Sequence, residues 1–378
     1  MGKMEKTVCN KNFLVKTLVE LVQIPSLSGK EEKIAEKVAE TLKTFGYQPK
    51  IDEYYNVVAE IGSGKTILLN AHLDHVPPVG NWKINPYSGK IVNGKVYGVG
   101  ASDNKSGVSA MLEIARILSE NKPRKGRVIF LFTSREESGG DEARKVLVGK
   151  VKADAGICLD HHINTKKRVA ELTVGCKGIG NFEVEVYGKS YHSSEPEKAV
   201  NAIYKAAKLV DAVQKLKLPK IKKPVKEKAL LNVTKINTDG WATRIPDLCR
   251  LTLNYRAPPK EDKTKAEKRI GGFIKRTLKK DFKVVKFVYR QGYLLNLKNP
   301  IVKAAEKSAK SLGFKPKISI AKGWVDAATL TNQLKIPTIC MGPTTPGQAH
   351  VENEYEEIQN LVWGTELALK TVLNYLSL

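Results

Sequence analysis

The sequence predicts an α/β fold in which a smaller α+β domain interrupts a larger, helix-covered sheet. Two patterns carry this reading: continuous apolar runs alternating with amphipathic helices at both ends of the chain, and strands of apolar–polar alternation in the middle. Residues 66–71 (TILLNA), 127–132 (RVIFLF), 155–159 (AGICL) and 336–340 (IPTIC) are short runs of the kind buried on both faces of a sheet. Residues 31–45, 108–119, 299–312 and 354–376 place apolar side chains at helical spacing, and Asp103 and Ser106 stand ready to cap the second of these helices. The alternation predicts an α/β sandwich with a largely parallel or mixed sheet. In the middle, 181–187 (NFEVEVY) and 250–255 (RLTLNY) alternate as half-exposed strands do. Helical segments at about 199–216 and 263–278 separate further strands near 230–236 and 282–288. The resulting order, β-α-β-β-α-β, is that of a small split-βαβ domain. A chain of 378 residues exceeds what one core usually serves. The expected organisation is therefore a larger domain built from 1–177 and 291–378, with 178–290 inserted between its halves.

Composition narrows the function classes. The 42% hydrophobic and 27% charged residues are those of a globular protein, no apolar run approaches a membrane span, and the first six residues (MGKMEK) lack a signal-peptide core. The expected location is the cytoplasm, with no membrane partner. Cys9, Cys158, Cys176, Cys249 and Cys340 are scattered singly, which reads as reduced core thiols and not as a structural zinc knot or a disulfide framework. The net charge of +25 raises the question of a polyanion partner. Its distribution argues against nucleic acid. Lysines are spread over the whole chain, and the densest run, 215–228 (KLKLPKIKKPVKEK), holds prolines and no aromatic residue to stack on bases, so it reads as a solvated loop.

The histidines carry the chemistry. The 6 in the chain are His72, His75, His161, His162, His192 and His350, and they fall in or near short acidic segments: 72–74 (HLD), 101–105 (ASDNK), 135–138 (REES), 159–162 (LDHH), 191–194 (YHSS) and 349–352 (AHVE). Several of these segments end or follow predicted buried strands. Groups on an open α/β sheet gather beyond the carboxyl ends of its strands, so residues distant in sequence converge there. Zn²⁺ takes imidazole nitrogen and carboxylate oxygen, and a paired-metal hydrolase needs two such sets plus a carboxylate free to move protons. A lone His or Asp at a strand end is more often a hydrogen-bonded structural group; six segments together point to a metal hydrolase. Glu136 and Glu137 directly follow an apolar run, and two buried acids side by side repel unless a cation lies between them.

Through 71–77 (AHLDHVP), 96–111 (VYGVGASDNKSGVSAM), 135–140 (REESGG), 188–203 (GKSYHSSEPEKAVNAI) and 342–358 (GPTTPGQAHVENEYEEI), the chain resembles a family of co-catalytic zinc hydrolases. That family includes acetylornithine deacetylase, succinyl-diaminopimelate desuccinylase, aminoacylase, carboxypeptidase G and the tripeptide aminopeptidases. The resemblance runs from about Leu14 to the C-terminus. It implies a zinc-exopeptidase-like α/β/α catalytic domain, an inserted lid/dimerisation domain and a homodimer. It also implies two Zn²⁺ ions, for which Co²⁺ or Mn²⁺ can substitute: His72 and Asp160 would hold one, Glu137 and His350 the other, and Asp103 would bridge both. Asp74 would accept the second N–H of the His72 ring. Glu136 would be the general base, removing a proton from water whose pKa the metal lowers to about 7. His192 would reach the active site of the partner subunit and stabilise the oxyanion. His161 or His162 is the alternative to Asp160, and His75 is expected to be structural.

Substrate identity is less legible. Arg256 matches a lid arginine that binds a substrate carboxylate in relatives, a task suited to a bidentate guanidinium; a salt bridge within the lid is the competing role. Where many relatives read Gly-Gly-x-x-Asn-x-Ile-Pro, residues 239–246 read DGWATRIP, which alters an oxyanion or substrate contact. Where they carry a small-residue turn, 323–326 read GWVD, so Trp324 either walls a side-chain pocket or packs in the core. Aspartate at position 160 is the family's habit in amino- and dipeptidases. The expected activity is therefore hydrolysis of an amide bond in a short peptide, with N-acyl amino acid deacylation (a deacetylase or desuccinylase) as the alternative. An inactive scaffold or polyanion binder would have lost ligands, and none is lost.

Overall fold

The computed structural model describes residues 8–121, 126–221 and 225–377. Strand Thr66–His72 is buried at every position, as an unbroken apolar run covered on both faces must be. It pairs in parallel with Gly126–Thr133 on one side and with Ala155–Cys158 on the other, and Ala155–Cys158 pairs in parallel with Thr338–Cys340. Val57–Ser63 and Val169–Cys176 flank these strands antiparallel, which makes the sheet mixed. His72 lies opposite Thr133, and Cys158 opposite Cys340, so the carboxyl ends of the parallel strands fall along one edge. Leu68, Ile129 and Leu131 pack with Leu147, Val151, Leu330 and Ile336; each fully buried aliphatic side chain of this size contributes about 1.5–3 kcal/mol. Helices Ser106–Glu120 and Ile358–Leu376 also pack on Thr66–His72.

Local chemistry explains where elements start, and two starts differ from expectation. The helix expected from residue 354 begins at Ile358, because Tyr355–Glu357 is a strand paired antiparallel with Lys95–Tyr97. Nor do Asp103 and Ser106 cap helix Ser106–Glu120. Asp103 and Asn104 have non-helical backbone angles, the N-cap position is Lys105 without a side-chain cap, and the Ser106 hydroxyl donates to the Ser102 carbonyl. Gly107 lets this helix start approach the strand end: a Cβ there would lie 2.3 Å from the Leu159 carbonyl oxygen. By contrast, helix Pro300–Ser311 has a side-chain cap, with Asn299 accepting from the Ile301 N–H.

Contacts divide the chain into two units, the first running to Val174 and including Leu295–Ser319 and everything from Val325 onward, the second comprising Gly175–Leu294 and Ile320–Trp324. The second holds a four-stranded antiparallel sheet in the order Leu230–Thr238, Leu248–Ala257, Gly178–Tyr187, Phe282–Arg290. Burial alternates strictly along Gly178–Tyr187, and its inward residues Phe182, Val184 and Val186 cluster with Leu209 of helix Ala202–Lys215 and Ile270 and Ile274 of helix Lys263–Leu278. Counted along the chain, the first and third strands lie inside and the second and fourth at the edges, the split-βαβ arrangement. Of the lysine run at 215–228, residues 222–224 lie outside the described residues; Lys220–Ile221 pairs with Glu227–Lys228. No helix among the described residues is long and apolar enough to cross a membrane. The five cysteines are buried thiols.

Arg144 and Asp326 form an ion pair in the interior of the first unit. Arg144 donates from Nε and Nη2 to Asp326 at 2.6–2.9 Å, with side-chain exposures of 1% and 3%, and Asp326 also accepts from the Thr133 hydroxyl at 2.6 Å. Arg144→Ala would strand the Asp326 carboxylate in the core, where loss of one partner costs about 3–5 kcal/mol. Denaturant unfolding should show a loss of that order, and a change below about 1 kcal/mol would contradict it.

Candidate metal centre

His72, the last residue of its strand, is 2% exposed, and its Nε2 lies 3.1 Å from Asp103 Oδ1. His350 Nε2 lies 2.9 and 2.8 Å from the two Glu137 oxygens and 3.6 Å from Asp103 Oδ2. His72, Asp103 and Glu137 offer ligand atoms that all fall within 4.8 Å of one another. His350 adjoins this group through Glu137 and Asp103.

The electrostatics tie Glu136 and Asp160 to the same place. Burial holds the Glu136 carboxyl well above its usual range; His72 opposes this, while Asp326, Asp160 and Glu137 add to it. Asp160 is raised in the same way, by burial and then by Asp103. Burial also lifts Glu137, against its hydrogen bond to His350. That bond in turn raises His350 to about 9, against partial burial. Burial disfavours the charged form of His72, yet its bonds to Asp103 and Asp74 outweigh this and its pKa rises. Five carboxylates (Asp74, Asp103, Glu136, Glu137 and Asp160) thus lie near two imidazoles, that of His72 buried and that of His350 half exposed. The excess of negative charge and the mixed nitrogen–oxygen donors fit a divalent metal.

The loop carrying Glu136 and Glu137 is fixed residue by residue. The Ser134 N–H donates to Asn56 Oδ1 at 3.0 Å, the Arg135 N–H to Glu31 Oε1 at 2.9 Å, and the Glu136 and Glu137 N–H groups to the two Asp74 oxygens at 3.0 Å each. The Arg144 guanidinium donates to the Ser134 carbonyl. Asp74 also accepts from the Ser28 hydroxyl at 2.6 Å. Its carboxylate is therefore engaged mainly with the loop. The nearer acceptor for His72 Nδ1 is the Asp74 carbonyl oxygen at 3.0 Å, with the carboxylate at 3.4 Å.

Sequence reasoning passed over Glu31, Asn56, Arg144, Asp326 and Glu354 as parts of this site. Glu354 accepts the Gly100, Ser102 and Asp103 N–H groups, and burial pushes its carboxyl up to about 8. Its signal was available: Glu354 and Glu356, two residues apart just after His350, are both buried, the second in the middle of strand Tyr355–Glu357.

The pattern of peptidase family M20/M25/M40 matches residues 68–374. The chain belongs to this family. It is a metallohydrolase, and its relatives include both peptidases and desuccinylases. Succinyl-diaminopimelate desuccinylase of Pelagibacter ubique is 27% identical over 328 residues, which cover 82% of this chain and 85% of the relative. A tripeptidase from Staphylococcus aureus has a similar crystal structure, with a TM-score of 0.83 and 25% identity, covering 98% of this chain and 100% of that one. The M20 metallo-carboxypeptidase of Sulfolobus solfataricus shares the fold, with a TM-score of 0.80 at 21% identity over 97% of this chain and 99% of its own.

None of the remaining candidate residues of this M20 chain is among the three whose ligand atoms lie close together. The His161 and His162 rings stack at 4.6 Å, and His162 Nδ1 bonds the Thr344 hydroxyl at 2.7 Å. His75 is structural: Nε2 accepts the Ser26 N–H and Nδ1 bonds the Val76 carbonyl, while burial lowers its pKa to about 4. Three candidates belong to the second unit. His192 is exposed on a two-residue strand paired with Arg244–Ile245, its Nδ1 2.7 Å from the Ser194 hydroxyl. Arg256 is half-buried, donates to Asn254 Oδ1 at 3.0 Å, and has no carboxylate partner among the described residues. Trp324 is partly exposed, with the Arg290 guanidinium 5.3 Å from its ring centre.

Proposed function

We propose that this M20 chain is a two-zinc amidohydrolase that cleaves short peptides ending in a free carboxylate. The convergence of His72, Asp103 and Glu137, with His350 against Glu137, carries the reading. His72 and Asp160 would hold one ion, Glu137 and His350 the other, and Asp103 both. When bound, such a pair lowers the pKa of water and polarises the amide carbonyl. The chain's own residues do the rest. Glu136, whose carboxyl burial keeps proton-avid, takes a proton from the attacking water and returns it to the departing amine nitrogen. Asp74 holds Glu136 and Glu137 through their backbone N–H groups, and Arg256, a half-buried cation with no carboxylate partner among the described residues, suits the terminal carboxylate of a substrate. The likeness to a tripeptidase over nearly the whole chain favours peptides. Removal of a succinyl group is the second reading, favoured by the desuccinylase relatives; its substrate also carries carboxylates. His192 would act in the partner subunit's site of a homodimer as a donor to the oxyanion, and five buried thiols suit the reducing cytoplasm.

Glu136→Gln should keep its metal and lose about 10²–10⁴-fold in kcat; near-normal turnover with metal retained would move the base elsewhere. A panel of di- and tripeptides with N-acetyl and N-succinyl amino acids, assayed with zinc or cobalt, identifies the substrate class. On the best of them Arg256→Ala should raise KM more than it lowers kcat, and carboxyl-amidated substrates should be equally poor for both proteins. An unchanged KM removes Arg256 from the substrate site. Mixing inactive His192→Ala and Glu136→Gln chains should restore activity up to about a quarter of wild type if His192 acts across a dimer with independent sites. Absence of rescue, or a His192→Ala chain that is active alone, would end that role.

A further inference from the structure

One side chain takes three backbone N–H groups of the loop that carries Asp103. Glu354 is 2% exposed. Its Oε2 accepts the Gly100 N–H at 2.9 Å, and its Oε1 accepts the Ser102 N–H at 2.9 Å and the Asp103 N–H at 3.0 Å. Its own carbonyl accepts the Gly98 N–H at 3.0 Å, so residues 98–103 are held at four points by one residue. These N–H groups precede the helix start, and Asp103 itself has φ −112° and ψ 86°. Without the carboxylate they would be left unpaired in the protein interior, at about 1–3 kcal/mol each. Glu354 also lies four residues after His350 in the chain. One carboxylate thus joins the backbone beneath Asp103 to the segment that presents His350. Glu356, fully buried two residues on, accepts the Thr345 N–H at 2.9 Å and secures the same strand.

We propose that Glu354 is a positioning residue for both metals, holding the Asp103 carboxylate and the His350 segment at the separation the ions require. The proposal rests on the reading of Asp103 as a ligand shared by both ions. A carboxylate is needed because all three side-chain partners are donors. Glutamine, with an NH₂ group in place of one oxygen, opposes at least one of them and retains the rest.

The test compares metal-free wild type, Glu354→Gln, Glu354→Ala and Asp103→Ala. Zinc binding is measured by calorimetry, the Co²⁺ absorption spectrum reports coordination, and thermal unfolding of the metal-free proteins reports folding. Glu354→Gln should remain folded, bind zinc about 10–100-fold more weakly, as loss of a group supporting a ligand commonly does, and show an altered Co²⁺ spectrum. Asp103→Ala should lose both ions. Wild-type zinc affinity and an unchanged spectrum in Glu354→Gln, with Asp103→Ala still losing its metal, would overturn the proposal and leave the metal assignment standing. A lower unfolding temperature without a change in affinity would likewise make Glu354 merely structural. Two zinc equivalents retained by Asp103→Ala would remove the shared ligand and the proposal with it. Glu354→Ala need not fold for the test to decide, since Glu354→Gln carries it.

Discussion

The site depends on one kind of interaction: buried carboxylates accepting backbone N–H groups from the loops that carry its chemistry. Asp74 takes the N–H groups of Glu136 and Glu137, Glu31 that of Arg135, and Glu354 those of Gly100, Ser102 and Asp103. Burial pushes the Asp74 carboxyl up, but its bond to His72 holds it down at about 2, so it is ionised, and an ionised acceptor makes a bond about twice as strong as a neutral one. Each bond also spares a loop amide from burial without a partner. Loops are ordinarily the most mobile parts of a fold, and here they are pinned where the sheet ends.

The sheet brings those loops to one place. Four parallel strands finish along one edge, so the residues after Thr133, Cys158 and Cys340 emerge beside His72. Gly107 allows the helix after Asp103 to approach the carbonyl of Leu159, the residue before Asp160. Arg144 couples core to site, reaching Asp326 with one edge of its guanidinium and the Ser134 carbonyl with the other. Its two roles cannot be separated in space, because a single planar group serves both.

Much of this could be read from the chain because it rests on residue type and period. Runs such as TILLNA have the burial their composition demands, and the alternation in NFEVEVY maps onto the two faces of its sheet. His72, Asp103 and Glu137 were legible as a candidate metal group because few side chains bind metals and each lies in a short segment of such residues. The supporting residues were not, because an asparagine such as Asn56 or a glutamate such as Glu31 looks in sequence like any surface polar group. Their meaning lies in burial, which depends on contacts made across the chain. The capping role expected of Asp103 failed for a related reason: the residue type that caps helices also binds His72, and the tertiary partner prevailed. The helix expected from 354 started late because Glu354 and Glu356 point inward from an extended segment, an arrangement that helical periodicity does not register.

Charge then links folding to the metal. Glu136, Glu137 and Asp160 are all pushed upward by burial, with neighbouring carboxylates adding to the push on each, so the folded chain without a cation holds acids that resist ionisation. A divalent ion relieves that repulsion in the folded state far more than in an unfolded chain, where the same acids are dispersed in water. Binding therefore stabilises the fold by RT ln(1 + [L]/Kd), about 2.7 kcal/mol at a hundredfold excess over Kd. Groups that repel one another cannot also hold one another in place, so the geometry has to come from elsewhere. The N–H bonds to Asp74, Glu31 and Glu354 supply it, since they draw on backbone donors and not on the candidate ligand atoms. The structure thus separates two tasks that compete in a metal site: the ligands carry the charge that attracts the ion, and the backbone anchors keep those ligands in position against it.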